Sequence, residues 1–162
     1  MGIAISNTSP LLYLYRIGGL AWLARLFTEV WVPDAVIAEL EAGQQRGYDV
    51  PVIERYLWIK RVNPRYVPEE WLALDLGLGE LAALALALEH REQVVLLDDL
   101  LARRIAQAAG LQVWGTLRVL LELKEQGVIS EVAPYVDKLV QAGMWVSGDI
   151  RRRILRLAGE IA

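Results

Sequence analysis

Three short runs in this chain, at residues 3–5, 30–32 and 94–97, are apolar throughout and lack the alternation of a strand that keeps one face in water. A strand that is apolar on both faces must be covered on both, which is the habit of parallel sheets packed between helices. The intervening segments supply those helices. Thr8-Ser9-Pro10 offers a cap and a first-turn proline to a helix over 11–17, and Gly18-Gly19 interrupts it before a helical stretch at 20–26. Helices are also expected at 34–41, stopped around Gly43, and then at 69–74, 80–92, 100–109, 117–126, 131–141 and 149–161. The helix at 80–92 is apolar nearly all round and should be deeply buried. Strands at 57–62 and 111–114 complete the pattern. Such alternation predicts an α/β fold of three layers, α/β/α, with a mainly parallel central sheet of four to five strands. No repeat, low-complexity stretch or linker intervenes. Residues 1–162 are therefore expected to form one domain, with C-terminal helices from about 130 to 162 packed on it.

Composition narrows the chemistry. With 162 residues, 55% of them apolar, the chain can bury a sizeable core without staples. It has no cysteine, which excludes thiol nucleophiles, disulfides and thiolate metal sites, and its one histidine, His90, excludes any site needing two imidazoles. Mean hydropathy is +0.32, yet the longest apolar run, 81–88, has 8 residues, against the roughly 18–20 a spanning helix needs. The first apolar run follows Met1 directly, with no basic segment before it, so neither a secretory leader nor a membrane anchor is expected. Net charge is −3, unlike a sequence-independent nucleic-acid coater, although arginine outnumbers lysine 14 to 3 and is the better fork for phosphate.

In open parallel sheets ligands bind beyond the carboxyl ends of the strands, where strand order reverses. The strand at 3–5 runs on to Asn7 and the strand at 94–97 to Asp98-Asp99. Adjacent carboxylates raise each other's pKa unless a cation compensates; one of them alone would serve as an ordinary helix cap. Glu80 opens the apolar helix just after Gly77 and Gly79, where the helix dipole also favours an acid. Glu39 shares a helix face with Val36 and Leu40, either turned inward with them or lying at the edge of their stripe. Asn7, Glu39, Glu80, Asp98 and Asp99 together would form an oxygen-only site, suited to Mg²⁺ or Mn²⁺ and hence to phosphodiester chemistry.

Three competing motifs are weaker. Gly77-Leu78-Gly79-Glu80-Leu81-Ala82 fits a dinucleotide fingerprint, but a helical rather than strand-like segment precedes it, and Glu80 would repel a pyrophosphate. His90 reads as an exposed residue at the end of a helix, and no serine sits in a nucleophile elbow. The six tryptophans read mostly as core, with no recognisable stacking platform.

The ordered set Ile5-Ser6-Asn7-Thr8-Ser9-Pro10-Leu11, Trp31-Val32-Pro33, Glu39-Leu40, Gly79-Glu80, Leu96-Leu97-Asp98-Asp99, Arg103 and Gly115-Thr116 resembles the PIN-domain family over nearly the whole chain. It looks most like the prokaryotic branch that resembles the toxin ribonucleases of toxin–antitoxin pairs. The resemblance implies a PIN-like fold and a cytoplasmic, Mg²⁺- or Mn²⁺-dependent endoribonuclease, often a homodimer, silenced by a small antitoxin protein. It places metal ligands at Asn7, Glu80, Asp98 and Asp99 and catalytic roles at Glu39, Glu80, Asp98 and Asp99. Thr8, Ser9, Arg103 and Thr116 fall on positions that line or support the family's site. Asn7 stands where the family usually has aspartate. An amide oxygen brings no charge, which weakens cation binding and makes the alternative a catalytically weak or inactive PIN-fold protein that acts by protein or RNA binding.

Overall fold

The computed structural model describes residues 2–162. Five strands, β1 (Ile3–Ser6), β2 (Glu29–Val32), β3 (Ile59–Arg61), β4 (Val94–Leu96) and β5 (Gln112–Trp114), form one sheet in the order β3-β2-β1-β4-β5. Every pairing is parallel. The chain builds outward from β1 through β2 to β3, then returns to place β4 on the other side of β1. The reversal of strand order therefore falls between β1 and β4, where Ser6 is in register with Leu96 and the Asn7 N–H donates to the Leu96 carbonyl at 3.2 Å.

The unbroken apolar strands are covered on both faces, as their composition requires. Ala4, Val30 and Leu96 belong to a core shared with helices α1 (Thr8–Arg16), α3 (Asp34–Gln45), α6 (Thr116–Glu125) and α7 (Ala133–Gln141). Ile5, Val95 and Leu97, one residue out of phase, pack instead against α4 (Leu78–Glu89) and α5 (Leu100–Ala108). The arrangement is the expected three-layer α/β/α fold. A four-residue helix, α2 (Leu23–Leu26), precedes β2, and α8 (Gly148–Leu157) closes the chain against α6. Among the described residues no helix is long and apolar enough to cross a membrane.

Several boundaries differ from the sequence expectation for identifiable reasons. Helix α1 begins at Thr8 because Asn7, in extended conformation, takes the cap position, and the segment at 69–73 is 3₁₀. Helix α3 runs through Gly43 to Gln45 and turns at Gly47, whose φ is +90°. Strand β3 spans three residues, while Leu57 before it is 88% exposed. Helix α8 stops at Leu157, because Gly159 adopts φ +74° and turns Glu160 back into the protein. There the Glu160 carboxylate accepts the N–H groups of Val132 and Ala133 at 2.7 and 2.9 Å and the Lys124 ammonium at 3.0 Å. Five tryptophans are half-buried against the two cores, but Trp145 is exposed. His90 is not free in solvent: it caps α4, half-buried, with its ring edge-on to Trp31 at 4.9 Å.

Candidate functional site

At the carboxyl ends of β1 and β4 lies a cleft of about 450 Å³, and Asn7, Thr8, Ser9, Glu39, Glu80, Asp98 and Asp99 all line it. The sheet delivers Asn7 and Asp98, because a polar residue immediately after a buried strand emerges at its end. Helices deliver the rest: Glu80 from the first turn of α4 and Glu39 from the middle of α3, which packs on α4.

The two adjacent aspartates divide their work. Asp99 is the cap of α5, its Oδ2 accepting the Ala102 N–H at 2.9 Å. Asp98 accepts the Thr116 N–H on Oδ1 and the Thr116 hydroxyl on Oδ2, both at 2.7 Å. Thr116 is fully buried, so this pair of bonds fixes the plane of the Asp98 carboxylate. Arg103 and Thr116 do not line the cleft; they stand behind Asp98. A Cβ on Gly115 would lie 2.9 Å from Arg103 Nη1 and 3.2 Å from Asp98 Oδ1, which is why the residue before Thr116 carries none.

Glu39 is turned inward. Its Oε1 accepts the Thr8 hydroxyl and its Oε2 the Gly79 N–H at 3.2 Å, so one carboxylate ties α3 to α1 and α4. A Cβ on Gly79 would lie 2.3 Å from Glu39 Oε1. The Gly77 N–H donates to Glu80 Oε1 at 3.0 Å. Two of the amides that a pyrophosphate would need at this helix end are thus taken by the chain's own carboxylates, and the glycines serve Glu80 and Glu39 rather than a dinucleotide.

A family model described as PIN domain matches residues 3–160. The chain belongs to the PIN-domain family. PIN domains are generally nucleases that typically use divalent metals, and PIN nucleases bind RNA. No curated protein matches the chain.

The electrostatics of this PIN domain favour a cation. Burial pushes the Glu80 carboxyl above its ordinary range; the Gly77 N–H opposes that rise, while the charges of Asp99, Glu39 and Asp75 add to it. Burial likewise raises Asp98, against the pull of the Thr116 bonds and the charge of Arg103. Asn7 Oδ1 is buried with no hydrogen-bond partner, an orphan that costs about 1–3 kcal/mol unless something fills it. Asn7 Oδ1, Glu80 Oε2 and Asp99 Oδ1 are the oxygens left unengaged by protein donors. Among the described residues no three acidic or imidazole groups form a ready metal cluster. An ion that keeps several waters and takes few protein oxygens, the habit of Mg²⁺, suits this donor set best.

Three further residues line the cleft that sequence reading passed over, Tyr13, Met144 and Trp145. Tyr13 was findable from its place on the helix that Asn7 caps. Trp145 lies far along the chain, and only packing brings it here.

Proposed function

We propose that this protein is a metal-dependent endoribonuclease, the toxin component of a toxin–antitoxin pair, which hydrolyses RNA phosphodiester bonds. The observation that carries the reading is the convergence of four carboxylates and an orphaned buried amide oxygen on one cleft at the strand-order reversal. Asn7, Glu80, Asp98 and Asp99 would hold Mg²⁺ or Mn²⁺, directly or through water. Bound there, the ion would supply positive charge to the phosphoryl group and lower the pKa of a nearby water. Glu80, held at Oε1 by the Gly77 N–H, keeps Oε2 free for the ion or for a hydrogen bond from the attacking water. Glu39, held at both oxygens by Thr8 and Gly79, and Asp99 orient that water. Arg103 and Thr116 oppose the burial that raises the Asp98 carboxyl, and Thr116 holds it in plane. Ser9, at the first turn of α1, presents its hydroxyl to the substrate, while the Thr8 hydroxyl holds Glu39.

A cytoplasmic location, a homodimer and a small antitoxin partner belong to the same proposal. Leu78 and Leu100, 66% and 62% exposed at the first turns of α4 and α5, would give such a protein partner an apolar surface to cover. The neutral Asn7 favours a second reading, a catalytically weak or inactive PIN domain that binds without cutting.

Cleavage of a mixed single-stranded RNA pool, scanned over Mg²⁺ and Mn²⁺, separates the two readings. Metal-dependent cutting that disappears in Asp98→Asn and Glu80→Gln, with melting temperatures retained, is expected. A folded protein that cuts nothing under any of these conditions is the binding protein, and full activity in both variants moves the site elsewhere.

A further inference from the structure

Trp145 is 81% exposed, and its exposure is enforced by its neighbours. Met144 and Val146 on either side pack against the first core. The Met144 N–H donates to the Leu139 carbonyl at 2.9 Å, and Ser147 caps α8 by accepting the Ile150 N–H at 3.1 Å. With both neighbours turned in, the indole is turned out, at the edge of the acidic cleft it lines with Tyr13. A second depression of about 390 Å³ has Arg16 and Lys138 in its lining. The Tyr13 ring, which lines the first hollow, lies 6.0 Å from the guanidinium carbon of Arg16, which lines the second, and Arg16 also donates to the Ala142 carbonyl at 3.2 Å. One cation therefore ties the aromatic wall to the segment that carries Trp145.

We propose that Trp145 stacks on one unpaired base of the RNA, and that the strand runs from the carboxylates across Trp145 and Tyr13 into the Arg16–Lys138 depression. The inference rests on the ribonuclease reading above and adds the feature that selects an unpaired strand. The carboxylates repel every phosphate of that strand except one seated on the ion, and the cleft lining contains no basic residue to hold the others. A base presents an uncharged π face, so stacking adds affinity where the backbone is repelled. Arg16, beside the Tyr13 ring, and Lys138 in the same depression then take the next phosphates of the strand. Bases within a duplex are already stacked on one another, so only an unpaired strand can use the indole.

The test is an abasic scan on the full chain. A labelled single-stranded RNA of about a dozen nucleotides, within the span such sites cover, is bound to Asp98→Asn protein so that it is not cut. Its bases are removed one at a time, and affinity is read by anisotropy. One position is expected to cost about 5- to 150-fold in affinity when its base is absent. Adding Trp145→Ala should lower affinity for the intact strand by the same factor and make that position indifferent, while Trp145→Phe keeps most of the binding. Affinity for a fully paired duplex and the melting temperature should not move. The stacking role is overturned if Trp145→Ala binds the intact strand as tightly, or if the abasic penalty persists without the indole. A wild-type protein that cuts RNA while the scan is flat loses only this role; one that neither cuts nor binds RNA loses the ribonuclease reading as well.

Discussion

Gly79→Ala tests the position of Glu39 without touching a charge. The new methyl carbon would fall 2.3 Å from Glu39 Oε1, where ordinary contact begins at 3.4 Å, so the carboxylate must retreat by about 1 Å. Glu39 is the flexible end of a side chain, and the clash itself is cheap. What is lost is its pair of bonds to the Thr8 hydroxyl and the Gly79 N–H, together about 1–2 kcal/mol at a half-buried carboxylate. Against that, alanine in place of glycine within α4 contributes about 1 kcal/mol of helix stability. The melting curve should therefore stay within about 1 kcal/mol of the wild type. Cleavage should fall by about 10²-fold, the usual consequence of misplacing an active-site group by 1 Å. Chemical denaturation and a single-turnover cleavage assay on the same preparation read both quantities. Undiminished cleavage together with about 1 kcal/mol of added stability would refute the reasoning, because Glu39 would then be free to relocate at no cost.

Two more outcomes follow from charge. Replacing Arg103 by glutamine removes the cation that draws the Asp98 carboxyl down, so the acid limb of the pH–rate profile should move to higher pH; an unmoved limb would take Asp98 out of the titrating set. Burial works against ionising Glu160 as well, but the Val132 and Ala133 amides and Lys124 outweigh it and hold its carboxyl below the ordinary range. A depressed carboxyl stabilises the fold above its unfolded pKa and loses that contribution as pH falls through the folded value. Glu160→Gln should thus cost about 2 kcal/mol near neutrality, and the gap to wild type should narrow in melts taken below about pH 4. A gap that stays constant down that range would show that the charge of Glu160 contributes nothing. Asp98 and Glu80 run the other way: their raised carboxyls favour the fold at acid pH, and that contribution fades as pH climbs through their elevated values.

The layered α/β fold was legible residue by residue because its signals are local. Apolar runs such as 94–97 have no water-facing side, so the sheet had to be sandwiched, and Asn7 and Asp98 had to emerge where those runs end. Glu80 in a first helical turn and Asp99 as a cap are equally local, each set by orphan amides within a few residues. Other features depend on groups distant in the chain, and the linear order carries no trace of them. Glu39 was ambiguous on its own helix; it turns inward because Thr8 and Gly79, 31 and 40 residues away, donate to it and Gly79 leaves it room. Helix α8 looks able to continue to Ile161, but Gly159 and the amides of Val132 and Ala133 capture Glu160 first. Trp145 read as core because tryptophan usually is. It faces the cleft because Met144 and Val146 occupy the interior on either side of it. Side-chain type and periodicity specify the strands, helices and caps, whereas the partners of a side chain across the fold exist only once the chain has packed.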